Sequence, residues 1–164
     1  VAVPKENLLG EKGKGFYHLM ESLTVFRVLF GAMGLGVAIG AFEEALSYAK
    51  ERIQFGQPIG KFQAVQSMLA DMYTSIEASR LLLYRAAWMQ DHNIFPCDKE
   101  ASAGKLMASE AAMNAGVKGM EIYGGYGYVS NLPIQRYFRD AKVMEVGEGT
   151  SEIQRTIIAR RLGL

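Results

Sequence analysis

The stretch RDAKVMEVGEGTSEIQRTIIAR, residues 139–160, isolates one carboxylate, Glu148, between Gly147 and Gly149. Glycines on either side let the backbone bend sharply and put no side chain next to the acid, so a bound molecule could come close to it. Ser151 and Gln154 have the spacing of a capping box, which predicts that a helix starts just after this loop. The same glutamate also reads as an acid favoured by the dipole of that helix, an effect worth ~0.3–1 kcal/mol. Spacing alone does not choose between the two roles.

Two further stretches carry groups suited to a ligand. YAKERIQFGQPIGKFQAVQ, residues 48–66, predicts Arg52, Gln54 and Phe55 at the end of one helix and Gln63 at the opening of the next. The arginine fork donates several hydrogen bonds in fixed geometry, which suits phosphate. An aromatic nearby can pack on a flat cofactor ring. Taken alone, the pair also describes a surface arginine beside a loop-anchoring phenylalanine. MEIYGGYGYVSNLPIQRYFRDA, residues 120–141, contains Gly124-Gly125, which would bring backbone close to a ligand or to another helix. Tyr123, Tyr126 and Tyr128 suit core or interface packing.

The elements that must hold these groups are helical. Leu19, Leu23, Phe26, Phe30, Met33 and Val37 recur at alternating spacings of four and three, one face of a helix running to about Arg52. FGQPIGKF, residues 55–62, ends it. Phe62, Val65, Leu69, Met72, Ile76 and Leu83 stripe a second helix toward Gln90, broken around Pro96. An Ala-rich third helix covers roughly Lys99 to Tyr123, with Leu106, Met113, Val117 and Met120 on one side. GGYGYVSNLP (124–133) is a loop, followed by a short helix over 134–143 and a last one over 151–161. No period-two strand pattern follows residue 10. The expected fold is all-α: an antiparallel four-helix-type bundle, residues 16–164, with a short extra C-terminal helix. Residues 1–15, with Pro4 and three glycines, read as a strand end and linker from an upstream domain.

Composition narrows the function classes. The chain has 164 residues, 49% of them hydrophobic, enough for one substantial core and too apolar for disorder. Eighteen basic against 17 acidic residues leave no electrostatic footprint for nucleic acid. One cysteine, Cys97, excludes a disulfide framework and fits a reducing compartment, bacterial cytoplasm or mitochondrial matrix. His18 and His92 lie far apart, with no cysteine cluster, so no metal site is expected. Residues 25–42 are apolar apart from Arg27, but the helical pattern runs straight on into Glu43, Glu44 and Lys50, which favours a bundle helix over a membrane span. In that helix Ala32, Gly36 and Gly40 would admit a close neighbour. Gly34, Gly36 and Gly40 mimic a dinucleotide-binding run, yet sit in mid-helix without the preceding strand that motif needs.

In order along the chain, VPKENLLGEKGKGF (3–16), RIQFGQPIGKFQAVQSMLADM (52–72), EIYGGYGY (121–128) and RDAKVMEVGEGTSEIQR (139–155) resemble the C-terminal domain of the acyl-CoA dehydrogenase family. The resemblance covers nearly the whole sequence. It implies FAD-dependent α,β-dehydrogenation of an acyl-CoA thioester, in fatty acid metabolism. Glu148 matches the base that removes the α-proton while the β-hydrogen leaves as hydride to the flavin. A positioned base of this kind contributes ~10²–10⁴ in rate. The backbone N–H of Glu148 would be one donor to the thioester oxygen.

By the same resemblance, Arg52, Gln54, Phe55 and Gln63 match residues that reach the FAD of a neighbouring subunit. Glu121, Gly124 and Gly125 match the segment near the FAD's adenosine half. Thr150 and Ser151 match residues near the cofactor in the same subunit, and Arg27 and Gly149 belong with the acyl-CoA substrate. The implied partners are acyl-CoA, further copies of the chain as a homotetramer (a dimer of dimers), and an electron-transfer flavoprotein as acceptor.

The sequence departs from the family at three places. Many relatives have Gln at Glu121, an aromatic residue at Gly147, and an acid at Thr24. A small residue at 147 would leave room for branched or bulky acyl groups. Some subfamilies place the glutamate immediately before the long-helix arginine. Here that position is Phe26, so Glu148 has no competitor. An acyl-CoA oxidase of the same fold and a non-catalytic helical oligomerisation module are the alternative readings.

Overall fold

The computed structural model describes residues 1–164. Five helices make up the body: α1 (Gly15–Glu51), α2 (Gln63–Asp91), α3 (Asp98–Tyr123), α4 (Ile134–Val146) and α5 (Ser151–Arg161). Between α1 and α2 the chain forms a two-stranded hairpin, β1 (Ile53–Gln54) and β2 (Gln57–Pro58), with Ile53 opposite Pro58 and Gln54 opposite Gln57. Its turn residues, Phe55 and Gly56, both have positive φ, 52° and 79°, which matches the right-handed twist of paired strands. This hairpin corrects the expectation that no strand follows residue 10. Residues 1–15, expected to hold a strand end, form one 3₁₀ turn at Lys5–Asn7 and are exposed up to the first residue of α1.

The bundle runs up-down-up-down. Gln90 at the end of α2 donates to the carbonyl of Thr24 near the start of α1, so these two helices are antiparallel. Lys118 of α3 meets Asp71 of α2, and Gly104 faces Leu83, which makes α2 and α3 antiparallel as well. Helices α1 and α3 therefore run parallel and touch across the middle of the bundle. Small residues permit it. A Cβ on Gly31 would lie 3.2 Å from the Cα of Lys105, and one on Gly34 would lie 3.4 Å from the carbonyl oxygen of Ala108. Below them Ala38, Ala41, Ala45 and Ala49 of α1 and Ala108, Ala111, Ala112 and Ala115 of α3 are buried in one cluster.

This arrangement reverses part of the sequence reading. The large apolar stripe on α1 is not the core face: Leu19, Phe26 and Met33 are exposed, and the buried residues are Arg27, Val28, Gly31, Gly34, Leu35 and the alanines. Ala32 and Gly36 point to solvent, whereas Gly40 does admit a neighbour, the ring of Tyr137 on α4. On α2 the expected stripe holds, with Met72, Ile76 and Leu83 buried. By length and composition α1 alone could cross a membrane. Its small-residue face is built into the core of the bundle.

Candidate active site and cofactor surface

Glu148 sits between α4 and α5, and its local conformation is set from both sides. Helix α4 ends at Val146, after which Glu148 and Gly149 both take left-handed φ values, 55° and 94°. A non-glycine residue there is held against its preference, so surrounding contacts must fix it. They come from Gln154, which is fully buried and donates from Nε2 to the carbonyls of Glu148 at 3.0 Å and Gly149 at 2.9 Å. The helix cap is therefore not the expected Ser151–Gln154 box. Thr150 is the N-cap, its Oγ1 accepting from the N–H of Ile153 at 3.5 Å, which leaves Gln154 to clamp the loop.

The carboxylate of Glu148 is half-buried. Its Oε2 is closed off from the surface and has no hydrogen-bond partner within the chain, and the Oγ of Ser151 is in the same state. Two buried cations share its surroundings. Arg27 of α1 is 6% exposed, and burial pulls its guanidinium below the usual range against the opposing charges of Asp98 and Glu148. Lys105 of α3 is fully buried, and desolvation likewise lowers its ammonium, with Glu145 and Glu148 pulling the other way. Unpartnered polar atoms of this sort are costly in a protein interior.

Arg27 also lines a cleft of about 960 Å³ between the start of α1, the Phe95–Asp98 segment and α5. Its Nε and the Oδ1 of Asp98 are buried without partners, while the other oxygen of Asp98 accepts from Arg161 at 2.9 Å. Its lining sets Arg27 and Arg161 beside the carboxylates of Glu21 and Asp98 and the apolar Val25, Phe95 and Ile157.

A second concave surface lies at the far end of α1. Arg52, Gln54, Gly124 and Gly125 line one cleft of about 460 Å³ together with Tyr48, Tyr123 and Tyr126. The Arg52 guanidinium stands 5.3 Å from the centre of the Tyr126 ring. Nothing lies within 4 Å of where a side chain on Gly124 or Gly125 would be, so their backbone is open to a ligand. Phe55 projects from the hairpin turn, 92% exposed and edge-on to Phe62, and Gln63 is exposed at the first position of α2. Glu121 does not join this group. It is exposed and faces a separate groove with Glu110, Asn114, Lys118 and Glu145.

Sequence reading missed Lys105, Asp98, Arg161 and the clamp made by Gln154. Lys105 was visible only as a lysine sharing a helical face with Ala101, Ala108 and Ala112, a position where a solvated charge is out of place.

Residues 13–163 match the sequence profile of the acyl-CoA dehydrogenase C-terminal domain. The chain belongs to the acyl-CoA dehydrogenase family. It is 49% identical to the probable acyl-CoA dehydrogenase YngJ of Bacillus subtilis over 99% of its own length and 42% of that protein's. Among solved structures, butyryl-CoA dehydrogenase from Megasphaera elsdenii superposes with a TM-score of 0.96 at 41% identity, covering 99% of this chain and 42% of the other. The FAD complex of PigA superposes with a TM-score of 0.94 at 33% identity, over 99% of this chain and 42% of the other. Mitochondrial proteins stand among the relatives beside bacterial ones, as does a subunit of a caffeyl-CoA reductase–Etf complex from Acetobacterium woodii. The chain thus spans under half the length of the curated relatives it matches.

Proposed function

We propose that this chain is the catalytic-base domain of an FAD-dependent acyl-CoA dehydrogenase, working as part of a longer protein. The observation that carries the reading is the Oε2 of Glu148, buried and unpartnered in a loop of left-handed backbone. Family membership supplies the substrate class, and PigA, a relative of the same fold, is known in complex with FAD.

On this reading Glu148 takes the α-proton of an acyl-CoA thioester. Its backbone N–H donates to the thioester oxygen as negative charge develops there. Gly149 keeps the approach to the carboxylate clear, and the buried cations Arg27 and Lys105 lie in its surroundings. FAD, when bound, accepts the β-hydrogen as hydride. Thr150 and Ser151 stand beside the base and would touch the cofactor of the same subunit.

Arg52, Gln54, Phe55 and Gln63, with the Gly124-Gly125 backbone, serve the FAD of a neighbouring copy in a homo-oligomer, a dimer of dimers. The bare Phe55 side chain and the open glycine backbone support this, since both present surface that a flat or extended ligand could cover. Exposed Phe26, Leu29 and Met33 on α1 belong on this reading against protein, not lipid. Glu121 contributes its backbone neighbourhood only. An electron-transfer flavoprotein takes the electrons onward, in keeping with the relative named as part of an Etf complex.

The test is anaerobic mixing of the full-length flavoprotein with a panel of acyl-CoA thioesters. One or more should bleach the flavin and yield the 2-enoyl thioester, with turnover on an artificial acceptor and no peroxide formed in air. A flavin that no acyl-CoA bleaches overturns the proposal, and rapid peroxide formation turns it toward an oxidase.

A further inference from the structure

We infer that Lys105 is a positioning residue for Glu148, a role that rests on reading Glu148 as the base. Lys105 lies on α3 with no exposed surface, and the other residues on its face, Ala101, Ala108 and Ala112, are buried too. An ammonium in such a place is costly unless its donors are satisfied. No carboxylate pairs with it directly. Nζ instead donates to two main-chain carbonyls, Glu145 at 3.2 Å and Gly149 at 2.8 Å, and the Phe30 ring centre lies 5.9 Å away.

The choice of carbonyls gives the role. Glu145 belongs to the last turn of α4, where carbonyls run out of donors within the helix. Gly149 is the residue directly after Glu148. The side chain therefore ties together the two ends of the segment that carries the acid, 40 and 44 positions away in sequence. Gln154 holds the same loop from α5, sharing the Gly149 carbonyl with Lys105. Between them, α3 and α5 fix the left-handed pair that points the carboxylate.

An aliphatic side chain of similar length would fill this slot with no desolvation cost. Only the ammonium grips carbonyls on both sides of Glu148 while adding positive charge near its carboxylate. Loosening such a support disturbs the reacting groups more than ligand binding, because the loop carries the base and the N–H whose bond to the thioester oxygen strengthens as charge develops there.

The experiment uses the full-length flavoprotein with kcat expressed per bound flavin. Lys105→Met should lower kcat ten- to a hundredfold, with KM for the acyl-CoA within threefold of wild type and flavin content per subunit unchanged. Lys105→Gln, which keeps an uncharged NH2 donor group on a shorter side chain, should fall between. A kcat within twofold of wild type in either folded variant overturns the inference, as does a rise in KM that accounts for the whole loss. If neither variant folds, Lys105 is a folding residue and the inference is likewise overturned. Glu148→Gln in the same assay separates the two levels. Loss there without loss in Lys105→Met removes only the positioning role, and no loss there removes the assignment of the base itself.

Discussion

The ring of Phe30 stands against the α-carbon of Gly147, in the space that any side chain at residue 147 would need. The room expected from a small residue beside the acid is therefore already taken, by a side chain from α1. The two positions share one volume, and the wall next to Glu148 is aromatic although its own neighbour in sequence is glycine. Gly147→Ala should destabilise the protein by about 1–3 kcal/mol through overpacking. The same change made on a Phe30→Ala background should cost less than half as much. A double-mutant cycle read by denaturant unfolding checks this, and additive effects would show that the two residues do not compete for the space.

Gly149 is constrained by conformation as well as space. At φ 94° a side chain is strained, and a Cβ would come within 2.8 Å of the Gln154 Nε2 that clamps the loop. Gly149→Ala should cost about 1–3 kcal/mol and cut turnover, because the displaced group is the loop's own support. Melting temperature and kcat measured together test it. A variant with normal stability and normal turnover would show that the left-handed loop is not required.

The helix boundaries were legible because glycine and proline punctuate long apolar runs, as at FGQPIGKF after α1. Which face of each helix is buried was less legible. Large side chains draw attention in a sequence, yet here the α1–α3 contact is made by Gly31, Gly34 and alanines, whose small size lets two parallel helices meet, while Phe26 and Met33 face outward. The hairpin was invisible because two pairs of residues leave no periodicity to read. Glu148, Gly149, Arg52 and the Gly124-Gly125 pair could be named from sequence through family resemblance. Lys105 could not, because its donors go to main-chain carbonyls that no side-chain pattern reveals. The Ser151–Gln154 spacing pointed to a true helix start but to the wrong bond, since the Gln154 amide donates instead to the loop carbonyls of Glu148 and Gly149.

Arg52 tests the assembly. Its guanidinium lies over Tyr126 in the cleft that ends in the open Gly124-Gly125 backbone. Arg52→Ala should leave the bundle folded but weaken flavin retention, because its fork is lost from the surface proposed for a neighbour's cofactor. Flavin-to-protein absorbance ratios after gel filtration should fall by half or more. An unchanged ratio in an intact oligomer would place the cofactor elsewhere.

Tyr123 predicts a response to alkali. Its hydroxyl donates to Glu44 Oε2 at 3.0 Å, its ring stacks on Tyr48 at 3.9 Å, and burial beside that carboxylate holds the phenol above the ordinary tyrosine range. The folded protein then keeps this proton at a pH where the unfolded chain, titrating near ~10, releases it. The stability that follows is fully present below pH ~10 and declines as pH rises above it. Tyr123→Phe should lose about 1–2 kcal/mol at neutral pH and decline less steeply than wild type between pH ~10 and ~11. Thermal melts across that range decide it, and parallel declines would remove Tyr123 from the alkaline response.

The most direct measurement of the central claim is the rate of anaerobic flavin bleaching by a good acyl-CoA substrate in Glu148→Gln against wild type, at matched flavin content. The amide is nearly the shape of the carboxylate but cannot accept the α-proton. The account predicts a fall of about a thousandfold or more, with acyl-CoA still bound. A bleaching rate within tenfold of wild type would contradict it and assign proton abstraction to another group.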